Sequence, residues 1–227
     1  MGTGTVVRLV SGAELLERAE GVRSVYAGAF AEPPWCEDPA EADGYVRRLP
    51  AELARPGFTA ALALSESDDR VVHGFATGWT TPDPFPEGRS YGPVAAALGE
   101  DRTRRWLCGA GEIDELAVAA GARGQGLGAA LLAAVASTAA DGRCWLLTSV
   151  RADAFGFYLR RGWRQAVHPA PGGDGPALLL GPRHPAALMS EPAALMSEPA
   201  ALMSEPAGRN HPRSAPTSRN HPESTSG

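Results

Sequence analysis

One stretch limits what this chain can become. Residues 111–135 read GEIDELAVAAGARGQGLGAALLAAV. Glu112 to Val118 alternates and is apolar enough for a strand, Ala119 to Gln125 is loop, and Leu127, Ala130, Leu131, Ala134 and Val135 recur at helical spacing. The glycine loop therefore sits at a helix N-terminus. There the first backbone N–H groups have no acceptor within the helix, and the macrodipole adds partial positive charge. Gly124, Gly126 and Gly128 remove the β-carbons that would keep a phosphate away from the backbone, so N–H groups alone can hold a pyrophosphate. The stretch calls for a phosphate-bearing ligand.

What surrounds the loop narrows the choice. A Walker loop needs Gly-Lys-Ser/Thr, but the chain has no lysine, all 21 basic residues being arginine. The same absence removes lysine Schiff-base chemistry. A dinucleotide fingerprint needs G-x-G-x-x-G, whereas the spacing here is Gly124-x-Gly126-x-Gly128 and the residue three beyond Gly126 is Ala129. A nucleotide-binding oxidoreductase is thus poorly served. There is no Gly-x-Ser-x-Gly elbow and no His-Glu-x-x-His. His73, His168, His184, His211 and His221 have no ligand-like spacing, so no metal is expected.

Arg123-Gly124-Gln125-Gly126-Leu127-Gly128 resembles the Arg/Gln-x-x-Gly-x-Gly/Ala signature of the GNAT superfamily of acetyl-CoA-dependent N-acetyltransferases. Upstream, Glu115-Leu116-Ala117-Val118 looks like that family's cofactor strand. Downstream, Ala154 to Trp163, with Tyr158 and Gly162-Trp163, is similar to its second motif. The resemblance implies a mixed α/β (α+β) fold: a mostly antiparallel central sheet of about six to seven strands flanked by about four helices. It implies acetyl-CoA as cosubstrate, with Leu116, Ala117 and Val118 bonding the pantetheine arm and Arg123, Gly124, Gln125, Gly126, Leu127 and Gly128 holding the pyrophosphate. The Val118 N–H is also a candidate oxyanion donor.

The same resemblance points to catalytic residues. Glu112 lies six residues before Val118, where the histone-acetylating branch places its catalytic glutamate, and Tyr158 matches the general acid. An amine with a pKa of about 10.4 is almost wholly protonated at neutral pH, so a base is required. Asp114 is expected to share the strand face of Glu112 and to contact the acceptor, with Glu115 pointing oppositely. An exposed acidic strand end would account for these carboxylates equally. Arg151 departs from the asparagine common at its position, and Trp163 stands for the common phenylalanine.

The remaining chain is read in order. Thr5 to Val10 is a strand, Ser11 with Glu14 forms a capping box, and a helix is expected from Gly12 to Phe30. Residues 31–43 carry Glu32, Glu37, Asp38, Glu41 and Asp43 with no arginine, plus Trp35. The resemblance places this loop at the acceptor site, with Glu32 and Trp35 binding a protonated amine; a solvated acidic loop is the alternative. A helix over Ala40 to Ala54 and a hairpin of Phe58 to Ser65 with Val71 to Thr80 follow. Residues 81–111 are a proline-broken connection whose aromatics Phe85, Tyr91 and Trp106, with Trp79 of the preceding strand, line a pocket or simply pack. The central helix is expected to stop at Asp141-Gly142, Arg143 to Val150 is a strand, and Asp153 should cap a helix to Arg161. Trp163 to His168 and Ala177 to Gly181 are expected as the last strands, joined through Pro169 to Pro176.

From about His184 the composition changes. Pro-Ala-Ala-Leu-Met-Ser-Glu recurs from Pro185, Pro192 and Pro199. A proline in every repeat forbids a continuous helix, so the expected division is an acetyltransferase domain over 1–183 and a disordered tail over 184–227. With 227 residues and 44% hydrophobic content, one sizeable core is affordable. The net charge of −5 argues against a nucleic-acid partner. The longest uncharged run, Gly124 to Ala140, is too short and polar for a membrane span. Three scattered cysteines and no signal-like N-terminus suit the cytoplasm. The resemblance makes a homodimer a form to expect.

These readings combine into an N-acetyltransferase that moves acetyl directly from acetyl-CoA to a primary amine. The acidic loop favours a small cationic acceptor, aminoglycoside-like or a polyamine. A protein or peptide N-acetyltransferase and a non-catalytic CoA-binding sensor stand as alternatives.

Overall fold

A computed structural model describes residues 4–88, 91–168 and 176–189. The connection expected at 169–175 and the tail from residue 190 lie outside the described residues. β1 (Thr5–Val10) leads into α1 (Gly12–Glu17) through the expected box: the Glu14 N–H donates to Ser11 Oγ at 3.2 Å and the Ser11 N–H to Glu14 Oε2 at 3.1 Å. The single helix expected here is broken at Arg18, and α2 runs Ala19–Phe30. Arg18 leaves helical geometry (φ −107°, ψ 15°), and its guanidinium donates to the Asp69 carbonyl at 2.9 Å and carboxylate at 2.6 Å.

α3 (Pro39–Glu52), capped by Asp38, is followed by β2 (Thr59–Ser65) and β3 (Val72–Thr80). The long connection holds α4 (Tyr91–Leu98), the short α5 (Glu100–Arg102) and a π turn over Thr103–Leu107. Then come β4 (Gly111–Val118), a 3-10 turn (Ala120–Ala122), α6 (Leu127–Ala136), β5 (Cys144–Ser149), α7 (Asp153–Leu159), β6 (Arg164–Val167), β7 (Pro176–Leu180) and α8 (Pro185–Met189). Among the described residues the helices are more numerous than expected because the Arg18 break, α4, α5 and α8 add pieces.

The seven strands lie in the order β1-β2-β3-β4-β5-β7-β6, and only β4 with β5 is parallel. The alternation of β2 sorts its faces. Ala60, Leu62 and Leu64 meet Val22, Val25 and Tyr26 of α2 and Tyr45 and Leu49 of α3, while Ala61 and Ala63 face α6. Burying each large apolar side chain contributes about 1.5–3 kcal/mol. The floor under α6 is built from small residues. A β-carbon on Gly78 would come within 2.4 Å of the Glu112 carbonyl oxygen and 3.1 Å of Val135, so glycine is what allows the helix to lie close.

Two element ends differ from expectation. α6 stops at Ala136, not at Gly142, because Ser137 Oγ and Thr138 Oγ1 each donate at 2.7 Å to carbonyls of the last turn. Asp153 is the first residue of α7 and not its cap, which is Ala152.

The expected domain edge at 183 falls within packed structure. His184 is 1% exposed, and α8, the first repeat, buries Ala186 and Ala187 against the layer containing Leu107, Trp145 and Leu180. Five residues suffice for this helix because packing, not propensity, holds it.

Candidate active site

β4 is paired with β3 along its length, but with β5 only over Gly111↔Cys144, Glu112↔Trp145 and Ile113↔Leu146. Beyond Ile113 the two parallel strands part and leave a wedge. On that side, among the described residues, the backbone edge of β4 at Leu116 and Val118 has no strand beside it, whereas the Ala119 N–H turns to the His73 carbonyl at 2.9 Å and Ala117, two residues before it, likewise bonds toward β3. Opposite Thr77 and Gly78, β4 carries a bulge in which Asp114 is the extra residue. The bulge changes the side-chain alternation. Ile113, Leu116 and Val118 all pack in the α6 layer, whereas Ala117 packs in the α2–α3 layer. Glu115 therefore shares the face of Glu112, reversing the strict period-two expectation that Asp114 would do so.

The glycine loop begins where β4 ends. After the 3-10 turn, Arg123 is extended, Gly124 takes φ 78° and Gly126 takes φ 81° as the cap of α6. Only glycine adopts such values without strain. A β-carbon on either would meet no atom within 4 Å, so the space above the loop is an open cradle at a helix N-terminus. Leu127 turns its side chain into the core, at 8% exposure, and can offer only backbone. Gly128 faces Phe157, to which a β-carbon would stand at 3.4 Å. The chemistry of this donor set, N–H groups without side chains beside an arginine, fits a pyrophosphate.

Arg123 is engaged. Its Nε donates to the Val118 carbonyl at 3.2 Å and its Nη1 meets Glu32 Oε2 at 2.6 Å. The motif and the acidic loop, 91 residues apart in sequence, are thus joined across the site.

Glu112 is 5% exposed and lies at the end of β4 still paired with β5. Its Oε1 accepts from the Tyr91 hydroxyl at 2.6 Å and its Oε2 from Trp79 Nε1 at 3.0 Å. Trp79 in turn lies under the Arg55 guanidinium, 4.0 Å from its ring centroid. Tyr158 is buried between Phe157 and Trp163, with centroids at 5.2 and 5.9 Å. Burial pushes its phenol well above the ordinary tyrosine range, and the Glu115 carboxylate adds to the shift. Glu115 also raises Tyr26 and Tyr45, in each case after burial as the larger cause.

In the acidic loop, the Trp35 and Cys36 N–H groups both donate to the Glu32 carbonyl at 3.2 Å, and the Tyr26 hydroxyl donates to Glu37 at 2.9 Å. Trp35 is 41% exposed and edge-on to Phe30. The other aromatics divide differently. Phe85 and Tyr91 pack on Trp145, and Trp106 on His184, so these serve the core. A cavity of about 440 Å³ lined by Trp79, Glu112, Val135 and Asp141 sits at the paired end of β4 and β5. Its walls include neither the glycine loop nor Tyr158. Arg151 is exposed and its N–H donates to Ser149 Oγ at 3.2 Å.

The partnership of Tyr91 and Trp79 with Glu112, and the nearness of Tyr26 and Tyr45 to Glu115, carry no local signal in the sequence, since strand register and helix packing create them. Among the described residues no group of three His, Cys, Asp or Glu side chains is placed to hold a metal ion, and no helix is long and apolar enough to cross a membrane.

The family model for the acetyltransferase (GNAT) domain matches residues 62–165. Among solved structures, the chain is similar to a GNAT-family protein of Desulfovibrio desulfuricans, with 23% identity, a TM-score of 0.50, and coverage of 78% of this chain and 96% of that one. It is also similar to a histone acetyltransferase HPA2 and related acetyltransferase of Corynebacterium glutamicum, with 18% identity, a TM-score of 0.51, and coverage of 78% and 94%. These likenesses concern the fold. Comparison with curated protein sequences finds no match.

Proposed function

We propose that this chain is an acetyl-CoA-dependent acetyltransferase of the GNAT kind, a reading supported by the family model that matches residues 62–165, and that its acceptor is the primary amine of a small cationic molecule, aminoglycoside-like or a polyamine. The observation that carries this reading is the position of the wedge: its open glycine cradle is joined by Arg123 to the loop bearing Glu32 and Trp35, with Asp114 and Glu115 on the adjoining strand. Carboxylates beside an exposed indole suit an ammonium group, through charge and the ring's negative face.

In this reading the strand edge at Leu116 and Val118 orients the thioester arm, and the N–H groups from Arg123 to Gly128 hold the pyrophosphate. The Val118 N–H donates to the carbonyl oxygen as negative charge develops on it. Glu112 accepts the ammonium proton, through a water or across the hydrogen bond from Tyr91. The amine nitrogen then bonds to the carbonyl carbon, the carbon–sulfur bond breaks, and the proton that the nitrogen loses on becoming an amide passes to the departing sulfur, so that CoA leaves as the thiol and the acceptor as its N-acetylated form. Tyr158 supports the departing sulfur. Proton transfer from a phenol near pKa 10 to a thiolate near 8.5 is already uphill by roughly 2 kcal/mol, and the raised phenol makes it more so. Tyr158 therefore acts by donating a hydrogen bond and keeping its proton.

The experiment is calorimetric titration with acetyl-CoA, followed by thiol release in the presence of polyamines, aminoglycosides and neutral peptide amines. Binding, with release confined to cationic amines, is expected. Equal rates on neutral peptide amines would remove the acceptor assignment, and binding without release from any amine would favour the sensor.

A further inference from the structure

We propose that Glu32 and the donor's pyrophosphate compete for Arg123, so that donor binding releases a carboxylate on the acceptor side. This rests on the reading of the wedge as the donor site. Arg123 is fixed at its base: its backbone is extended between the 3-10 turn and Gly124, and its Nε is held by the Val118 carbonyl at 3.2 Å. Its terminal Nη1, by contrast, is given to Glu32 at 2.6 Å, between side chains that are 43% and 52% exposed. Partner exchange at such a pair needs little desolvation.

The loop's N–H groups and the N-terminus of the ten-residue α6 collect an anion beside the same guanidinium. A pyrophosphate there is both a stronger partner for Arg123 and a like charge facing Glu32. The Glu32 main chain need not follow its side chain, because its carbonyl is held by the Trp35 and Cys36 N–H groups at 3.2 Å. The carboxylate is therefore released on the same turn that carries the exposed Trp35, three residues on, and carboxylate and indole together form a seat for a cation.

The coupling is reciprocal: a cation on Glu32 frees Arg123 for the donor by the same factor that the donor frees Glu32. In the empty protein each site neutralises the other. An exposed ion pair limits this factor to about three- to fivefold.

The test is a calorimetric cycle with CoA at low salt on the wild-type chain, Glu32→Gln, Arg123→Gln and the double variant. Glu32→Gln should bind CoA about three- to fivefold more tightly than wild type, an effect that shrinks as salt screens the pair. Arg123→Gln should bind less tightly, and adding Glu32→Gln to it should change nothing further. An unchanged or weakened affinity in Glu32→Gln overturns the proposal. So does an equal gain in the Arg123→Gln background, which would mark a general loss of negative charge and not competition for one guanidinium. The wild-type titration alone reads the donor site itself: no CoA binding there would overturn that reading and this one together, whereas binding with a flat cycle overturns only the competition.

Discussion

Both oxygens of the Glu112 carboxylate accept hydrogen bonds from aromatic donors, which fixes its orientation more tightly than a flexible glutamate on an open strand. Replacing Trp79 by Phe removes the donor at 3.0 Å. Because the acceptor is a buried carboxylate, stability should fall by about 1.5–3 kcal/mol in denaturant titration. Glu112→Gln keeps the shape and removes the proposed base; kcat should drop roughly 10²–10⁴-fold while CoA affinity holds. Tyr158→Phe should lower kcat without moving the pH profile. The raised phenol stays protonated beyond pH 10.0, its ordinary value, so an alkaline limb at or below that pH must belong to another group. Glu112 and Tyr158 were legible as residues of recognisable motifs. Their neighbours were not: Trp79 reaches Glu112 through strand register, and the face of Glu115 is set by a bulge that no local pattern announces.

At the level of elements, the glycine loop and α6 behave as one part. Gly126→Ala forces an L residue into φ 81°, at a cost of about 1–2 kcal/mol, and puts a methyl into the open cradle. CoA affinity should fall at least about tenfold by calorimetry, since the methyl blocks close approach to the N–H groups. α8 is a second such part, fastened by His184. Its Nδ1 accepts from the Ala186 N–H at 3.1 Å, so the proton sits on Nε2, which donates to the Trp106 carbonyl at 3.0 Å. Burial lowers the His184 pKa below its ordinary 6.5, against a smaller opposing effect of the Trp106 carbonyl; Arg143 also lowers it and Asp141 raises it. Below pH 6.5 the unfolded chain takes up a proton that the folded chain resists. The contribution of His184 is thus complete above that pH and lost progressively below it. His184→Gln should flatten the acid side of a stability–pH curve.

For the whole molecule, the place where the folded domain ends becomes measurable. A chain ending at residue 191 keeps α8 and His184, whereas one ending at 183 exposes the layer that Ala186 and Ala187 cover. The shorter chain should be less stable by about 2 kcal/mol, from two buried methyl groups and the lost hydrogen bonds, as read by thermal or urea unfolding. The boundary at 183 was drawn from composition. Composition registers the onset of the repeat, but it cannot register that the first copy finds a surface to cover.

What the sequence by itself determined is local: the capping box at Ser11, the hairpin β2–β3, and the strand, loop and helix of the glycine motif. Each depends on residues within a few positions of one another, where backbone geometry and hydrogen bonding decide the outcome. Only the tertiary structure decided how far β4 and β5 stay paired, which carboxylates share a face, what clamps Glu112, and that Glu32 holds Arg123. Those facts join segments tens of residues apart, and packing two layers onto one sheet sets such distances without leaving a periodic or compositional trace in either segment.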